Sequence, residues 1–238
     1  MVCKLCSDEV SKLAKSHIIP QSLYGSAFDD PKGPLKIYSS ARGVRPSRSP
    51  VGEYDPNLMC GKCESSLSDV DDYAQRILTK TEPVQIIRDE DVALLSIYGD
   101  VEINKLRLFF ITLLWRMHAT DRPMFNIVRL GKYESKFKQA TLELNPNAIP
   151  EMDVILAKYD VFNTSILGPM VHRIGGVNGY SVSFAGWSCW LKIDSRKTPS
   201  LFAEIALSNG NPLRVLRRQF SSSPEAGALI KILKQHIK

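Results

Sequence analysis

Four of the five cysteines fall into two C-x-x-C pairs, "CKLC" (Cys3, Cys6) and "CGKC" (Cys60, Cys63). Four thiolates complete a tetrahedral zinc site with no open position. Two such pairs, far apart in the chain, suit zinc better than disulfides or a redox couple. One structural Zn2+ is therefore the expected cofactor. Cys189, in "FAGWSCWLKID", has apolar neighbours and reads as an inert core residue. Between the pairs, "KSHIIPQSLY" sets His17 ahead of two isoleucines and a proline. A neutral imidazole is a suitable general base for water near physiological pH. A buried strand end with a satisfied polar tip is the other reading of the same residue. Arg42, Arg45 and Arg48 recur at three-residue steps in "ARGVRPSRSP". Such a loop can follow a phosphate backbone without reading its sequence, and a solvated loop would have the same composition. His118, His172 and His236 have no comparable partners in sequence.

These residues need elements to hold them. Residues 1–80 read as one unit: a zinc knuckle with a short hairpin ending at His17, a short helix opened by Pro20, a strand at "LKIYSS", the arginine loop, and a helix over "GKCESSLSDVDDYAQRILTK". Leu67, Val70, Ala74, Ile77 and Leu78 share one face of that helix. The acidic residues from Glu64 to Asp72 lie off that face, where capping and solvation account for most of them. Residues 81–238 read as an α+β accessory domain. It has helices over about 85–145, a small antiparallel sheet over about 152–207, and a basic amphipathic tail helix over about 224–238. The expected class is thus α+β, with an N-terminal zinc-stapled module.

The chain has 238 residues, of which 44% are hydrophobic, so it has material for a substantial core. The apolar run "LRLFFITLLW" is too short to span a bilayer, and "MVCKLCSDEV" lacks the apolar stretch of a signal peptide. The expectation is a cytoplasmic protein with no membrane partner. Net charge is +6, and the basic residues concentrate towards both ends, which fits a polyanion such as nucleic acid.

The order C-x-x-C, His17, Asn57, C-x-x-C and helix resembles the HNH family of nucleases, whose ββα-metal motif often carries two zinc knuckles. In that family "HIIP" commonly holds the catalytic histidine, the asparagine lies ahead of the second knuckle, and a last ligand follows the final cysteine. The chain also looks like bacterial and phage HNH-type proteins that carry "SHIIP", "YD-x-N-x-x-C-x-x-C" and a downstream "LLWR" helix. The resemblance implies a metal-dependent endonuclease that hydrolyses DNA or RNA, a role in antiviral defence, and a regulatory ATPase subunit as partner. It implies that His17 activates water, that Asn57 orients His17 or helps hold metal, and that Glu64 is a ligand for a catalytic Mg2+ or Mn2+. Two departures stand out. Ser16 occupies a position where the family has Asp or His, and Glu64 one where it has His. A site altered in this way also fits a catalytically degenerate zinc-knuckle protein that binds nucleic acid or a partner protein. Asn57, within "DPN", also fits plain turn chemistry.

Overall fold

A computed structural model describes residues 1–27, 35–39, 43–45, 47–49, 51–160 and 166–236. The fold is α+β. In chain order it contains β1 (Ser16–His17), β2 (Leu35–Tyr38), β3 (Ser47–Ser49), β4 (Tyr54–Asp55), α1 (Gly61–Lys80), β5 (Gln85–Asp89), β6 (Val92–Tyr98), α2 (Ile103–Ala119) and α3 (Glu134–Leu142). Then follow β7 (Val154–Tyr159), β8 (Ile166–Ile174), β9 (Val177–Phe184), β10 (Trp187–Lys192), α4 (Ser200–Ala203), β11 (Leu213–Arg218) and α5 (Pro224–His236).

Among the described residues, β1 and β4 form a two-stranded antiparallel sheet of their own. The other strands form one nine-stranded sheet in the order β3-β2-β8-β9-β10-β7-β11-β6-β5. Two of its pairings, β2 with β8 and β7 with β11, are parallel. The sheet is therefore mixed and large, not the small antiparallel one expected over 152–207. Within that range β7, β8, β9 and β10 do pair antiparallel, and the turns of the meander β8-β9-β10 are made by Gly175–Gly176 and Ala185–Gly186, all with φ in the left-handed region. The rest is recruited from distant sequence, which alternation within one segment does not reveal.

Helix does not begin near residue 85. Residues 85–98 are a hairpin whose turn uses Glu90 at φ 51°, without the glycine or asparagine that usually signals such a turn. Helix α2 starts at Ile103 and ends at Ala119; Pro123 then opens a separate 3-10 turn. The arginine loop is also partly ordered as a strand, because Ser47–Ser49 pairs with β2 at the sheet edge. Helix α1 and tail helix α5 form where their apolar spacing places them.

The core crosses residue 80 without a break. Helix α1 buries Leu67, Val70, Ala74, Ile77 and Leu78, together with Tyr73. Helix α2 is buried on nearly every side, including Phe109, Phe110, Leu113, Leu114 and Trp115. Both belong to one hydrophobic cluster with Leu156, Val182, Phe184, Trp187, Cys189 and Leu191 of the sheet. Cys189 is a core residue, and burial pushes its thiol pKa up. None of the helices is long and apolar enough to cross a membrane, among the described residues.

Trp187 pins the sheet to the end of α1: its indole Nε1 donates to the Leu78 carbonyl at 2.7 Å. Trp187→Phe removes that donor and leaves a buried carbonyl unpaired. The expected cost is about 1–3 kcal/mol, measured as a lower urea midpoint at unchanged slope. An unchanged midpoint would show that the bond contributes nothing.

Candidate functional site

The chain around the first cysteine pair is a tight knuckle. Ser7 takes a left-handed φ of 66°, and its N–H donates to the Cys3 carbonyl at 2.9 Å. The knuckle lies against residues 58–60: Lys4 N–H donates to Leu58 O, and Ala14 N–H to Met59 O. Cys60 is the N-cap of α1 and Cys63 lies in its first turn. The second pair therefore sits where the free N–H groups and the positive end of the helix dipole favour a thiolate.

All four sulfurs lie within 4.8 Å of one another. Cys3 Sγ is 3.8 Å from Cys63 Sγ, and Cys6 Sγ is 4.0 Å from Cys60 Sγ. Tetrahedral zinc with bonds of about 2.3 Å sets its sulfurs roughly 3.8 Å apart, so the donor set fits zinc in both kind and spacing. Burial opposes ionisation of Cys3, but the backbone N–H groups of Cys6, Cys60 and Leu5 outweigh it and bring its pKa down to about 7. Burial and the neighbouring thiols push Cys63 up. With no cation, one thiolate suppresses its neighbours; a metal ion removes that conflict.

His17 lies next to this staple, on β1. Its strand partner is β4 rather than a local hairpin, with Ser16 opposite Asp55 and His17 opposite Tyr54. Ile18 and Ile19 are fully buried and Pro20 is buried, so the segment after His17 is anchored. His17 Nε2 is 3.0 Å from the Val51 carbonyl. A carbonyl only accepts, so Nε2 carries the proton and Nδ1 keeps the lone pair. The loop that presents Val51 is held in turn. Ser49 Oγ donates to Gly52 O at 2.8 Å and accepts from Val51 N at 3.3 Å. Gly52 has φ 82°, and a Cβ there would meet the Tyr24 ring at 2.3 Å.

His17, Gln21, Glu64, Asp71, Asp72 and Arg116 line a cleft of about 350 Å³. Glu64 Oε2 is buried with no hydrogen-bond partner, and such an orphaned acceptor suits a cation. Asp71 is engaged elsewhere: both its oxygens accept from Arg116, at 2.6 and 2.9 Å. Arg116 also reaches the His17 carbonyl at 3.4 Å. Its side chain is 1% exposed, and the Asp71 carboxylate outweighs the burial that disfavours its charge. Among the described residues, the four cysteines are the one group of three or more potential ligands converging this closely; His17 and the carboxylates do not.

The other expected site residues are more dispersed. Asn57 is exposed and absent from the cleft lining, and its N–H donates to Asp55 Oδ1 at 2.8 Å. That is the side-chain-to-backbone bond of an Asx turn. The hydrogen bond that aims His17 comes instead from Val51. Ser16 is fully buried and is likewise not in the cleft lining, since adjacent strand residues point to opposite faces. Arg45 and Arg48 are exposed, and Arg42 lies outside the described residues.

Three groups beside His17 were not apparent from sequence. The Tyr54 ring is 6.1 Å from the His17 ring, and it carries Lys15 Nζ at 5.9 Å and the Arg122 guanidinium at 5.6 Å. The signal for Arg116 was present in "LLWRM", because an arginine inside an apolar helix needs a buried acid. Nothing in the sequence paired it with Asp71, which had read as a solvated helix position. His118 lies at the α2 end, with Nε2 3.3 Å from Glu134.

No family model, curated protein or solved structure matches this chain. The functional reading therefore rests on the arrangement of the residues.

Protein purified without added metal is expected to carry about one zinc per chain. Cys60→Ser should lose it and unfold the region around β1, β4 and α1; elemental analysis and hydrogen exchange read both. A native Cys3–Cys6 disulfide would overturn the assignment. Arg116→Met leaves Asp71 unpaired and should cost about 3–5 kcal/mol. Adding Asp71→Leu should recover most of that loss, in a double-mutant cycle followed by urea unfolding.

Proposed function

We propose that this chain is a metal-dependent nuclease of the HNH type, in which His17 is the general base. The observation that carries the reading is the His17–Val51 bond: it leaves Nδ1 as the lone pair on a ring beside a cleft that also contains Glu64. Hydrolysis of a phosphodiester needs a water deprotonated as it attacks, and an imidazole held by its other nitrogen can take that proton. Burial of Ile18 and Ile19, together with the Arg116 bond to the His17 carbonyl, keeps the ring from wandering. Lys15 and Arg122, gathered on Tyr54, offer two positive charges for phosphate oxygens beside the base. Arg48 on β3 and Arg45 just before it are exposed and add further positive charge.

Glu64, with its unpartnered oxygen, is the residue that fits a hard divalent cation, Mg2+ or Mn2+, with water and phosphate completing the shell. When bound, the cation would neutralise charge growing on the phosphate and leaving oxygen. The four-thiolate zinc has no free position and serves as the staple. The proposed substrate is a nucleic-acid phosphodiester, of DNA or RNA. An ATPase partner and a role in defence rest on the family resemblance.

A second reading, a degenerate zinc-knuckle protein that only binds, is favoured by Ser16 being buried away from the cleft and by Arg116 occupying both Asp71 oxygens. A cleavage assay on single- and double-stranded DNA and RNA, with Mg2+ or Mn2+, separates the two. His17→Ala should lower cleavage by a factor on the order of a hundred or more, with zinc content, melting temperature and nucleic-acid affinity unchanged. Glu64→Gln should raise the Mg2+ or Mn2+ concentration needed. Lys15→Ala with Arg122→Ala should weaken binding and reduce its salt slope by up to roughly one unit per lost contact. A wild-type chain that binds nucleic acid and cuts none of these substrates overturns the catalytic reading and leaves the binding one.

A further inference from the structure

The face of the sheet turned away from α1 has its own chemistry. Trp187, Cys189 and Leu191 of β10 join the core under α1 and α2, so Ser188 and Trp190 point the other way. In register beside them stand Ile155 and Ala157 of β7 and Ser181 and Ser183 of β9. A cavity of about 470 Å³ lies between this face, Phe202 of α4 and the first turn of α5.

Its aromatic floor is fixed. Trp190 Nε1 donates to the His172 carbonyl at 3.0 Å. The indole comes so near β9 that a Cβ on Gly179 would stand 2.6 Å from Nε1. Ile155 and Phe202 pack with Trp190 in a small hydrophobic cluster. One polar end of the cavity is Glu225, 1% exposed, whose Oε1 accepts from Ser188 Oγ at 2.5 Å. Its Oε2 has no partner. At the other polar end, His172 Nδ1 is 2.6 Å from Ser181 Oγ. Arg218 of β11 also lines the cavity, on the same strand face as Leu216, which stands opposite Ala157.

A buried carboxylate oxygen left unsatisfied is costly, and the α5 dipole offsets only part of that cost. A planar ligand with N–H donors would satisfy it while lying on the indole. A carboxylate accepts and cannot donate. It therefore matches two adjacent N–H groups, as on the N1 and 2-amino edge of guanine. It mismatches adenine, whose N1 is an acceptor. Arg218 in the lining suits a phosphate.

We propose that this cavity is a binding site for a guanine mononucleotide, with the base on Trp190, its N–H edge at Glu225 and its phosphate at Arg218. The site lies across the sheet from α1 and uses none of the residues of the His17 cleft. It does not depend on the nuclease reading.

Calorimetry on the intact chain with GMP, AMP and guanosine tests it. GMP should bind at least about tenfold more tightly than AMP, because a mismatched polar edge leaves buried groups unpaired. Guanosine should bind more weakly than GMP, and Arg218→Ala should remove that difference. Glu225→Gln should weaken GMP at least about tenfold at an unchanged melting temperature. Phe202→Ala, a variant outside the polar cluster, should weaken GMP and AMP alike. Absence of binding at millimolar GMP, equal affinity for AMP, or full GMP affinity in a folded Glu225→Gln or Phe202→Ala protein would each overturn the proposal.

Discussion

Two pieces of chain far apart in sequence meet where four sulfurs converge within 4.8 Å. The first piece, residues 1–17, ends in the candidate base. The second, residues 54–80, supplies its strand partner and the helix beside it. Without a cation the sulfurs are in conflict: backbone N–H groups draw Cys3 down, while burial and the neighbouring thiols push Cys63 up. With one, they become the strongest tie in this part of the molecule. The pairing of His17 with Tyr54, the seat of Glu64 in the first turn of α1, and the position of the cleft all depend on that tie.

A second constraint joins the stapled region to the rest. Arg116 is a charge inside an apolar helix, and its fork fits both oxygens of Asp71. Buried pairs of this kind contribute little net stability relative to apolar packing, but breaking one is expensive. Here the pair also spans α1 and α2 and touches the backbone of His17. Asp55 acts likewise just beyond the same end of α2, accepting from Thr120 Oγ1 at 2.6 Å while Lys4 bonds Asp121 at 2.7 Å. The small metal-stapled region is thus seated in a fixed orientation by polar contacts, and the continuous apolar core beneath supplies the bulk of the burial.

The sheet faces two ways. One side is apolar and carries α1 and α2. The other side is built of serines, small residues, His172 and Trp190, and is closed over by α4 and α5. A face carrying three buried serines and a buried glutamate is poor material for simple packing. A small apolar cluster of Ile155, Val177, Trp190 and Ala206 sits on that face beside the cavity.

Local features were legible in the residues. The two C-x-x-C pairs specify soft tetrahedral ligation whatever surrounds them. The 3.6-residue spacing of Leu67, Val70, Ala74, Ile77 and Leu78 specifies α1 and the face it buries. Alternation with glycine turns specifies the meander β8-β9-β10. Other features were settled only by tertiary structure, because they depend on residues far apart in sequence. The β2–β8 and β7–β11 pairings are parallel and need long crossovers, for which local alternation gives no sign. The hairpin over 85–98 turns through Glu90 and Asp91, without the glycine or asparagine that marks such a turn. Val51 rather than Asn57 aims His17, because a backbone carbonyl leaves no mark in the sequence. Asp71 turned from a solvated helix position into half of a buried ion pair, because its partner lies 45 residues away on another helix. Residue types determined which chemistry was available, and long-range contacts decided which of those groups stand together.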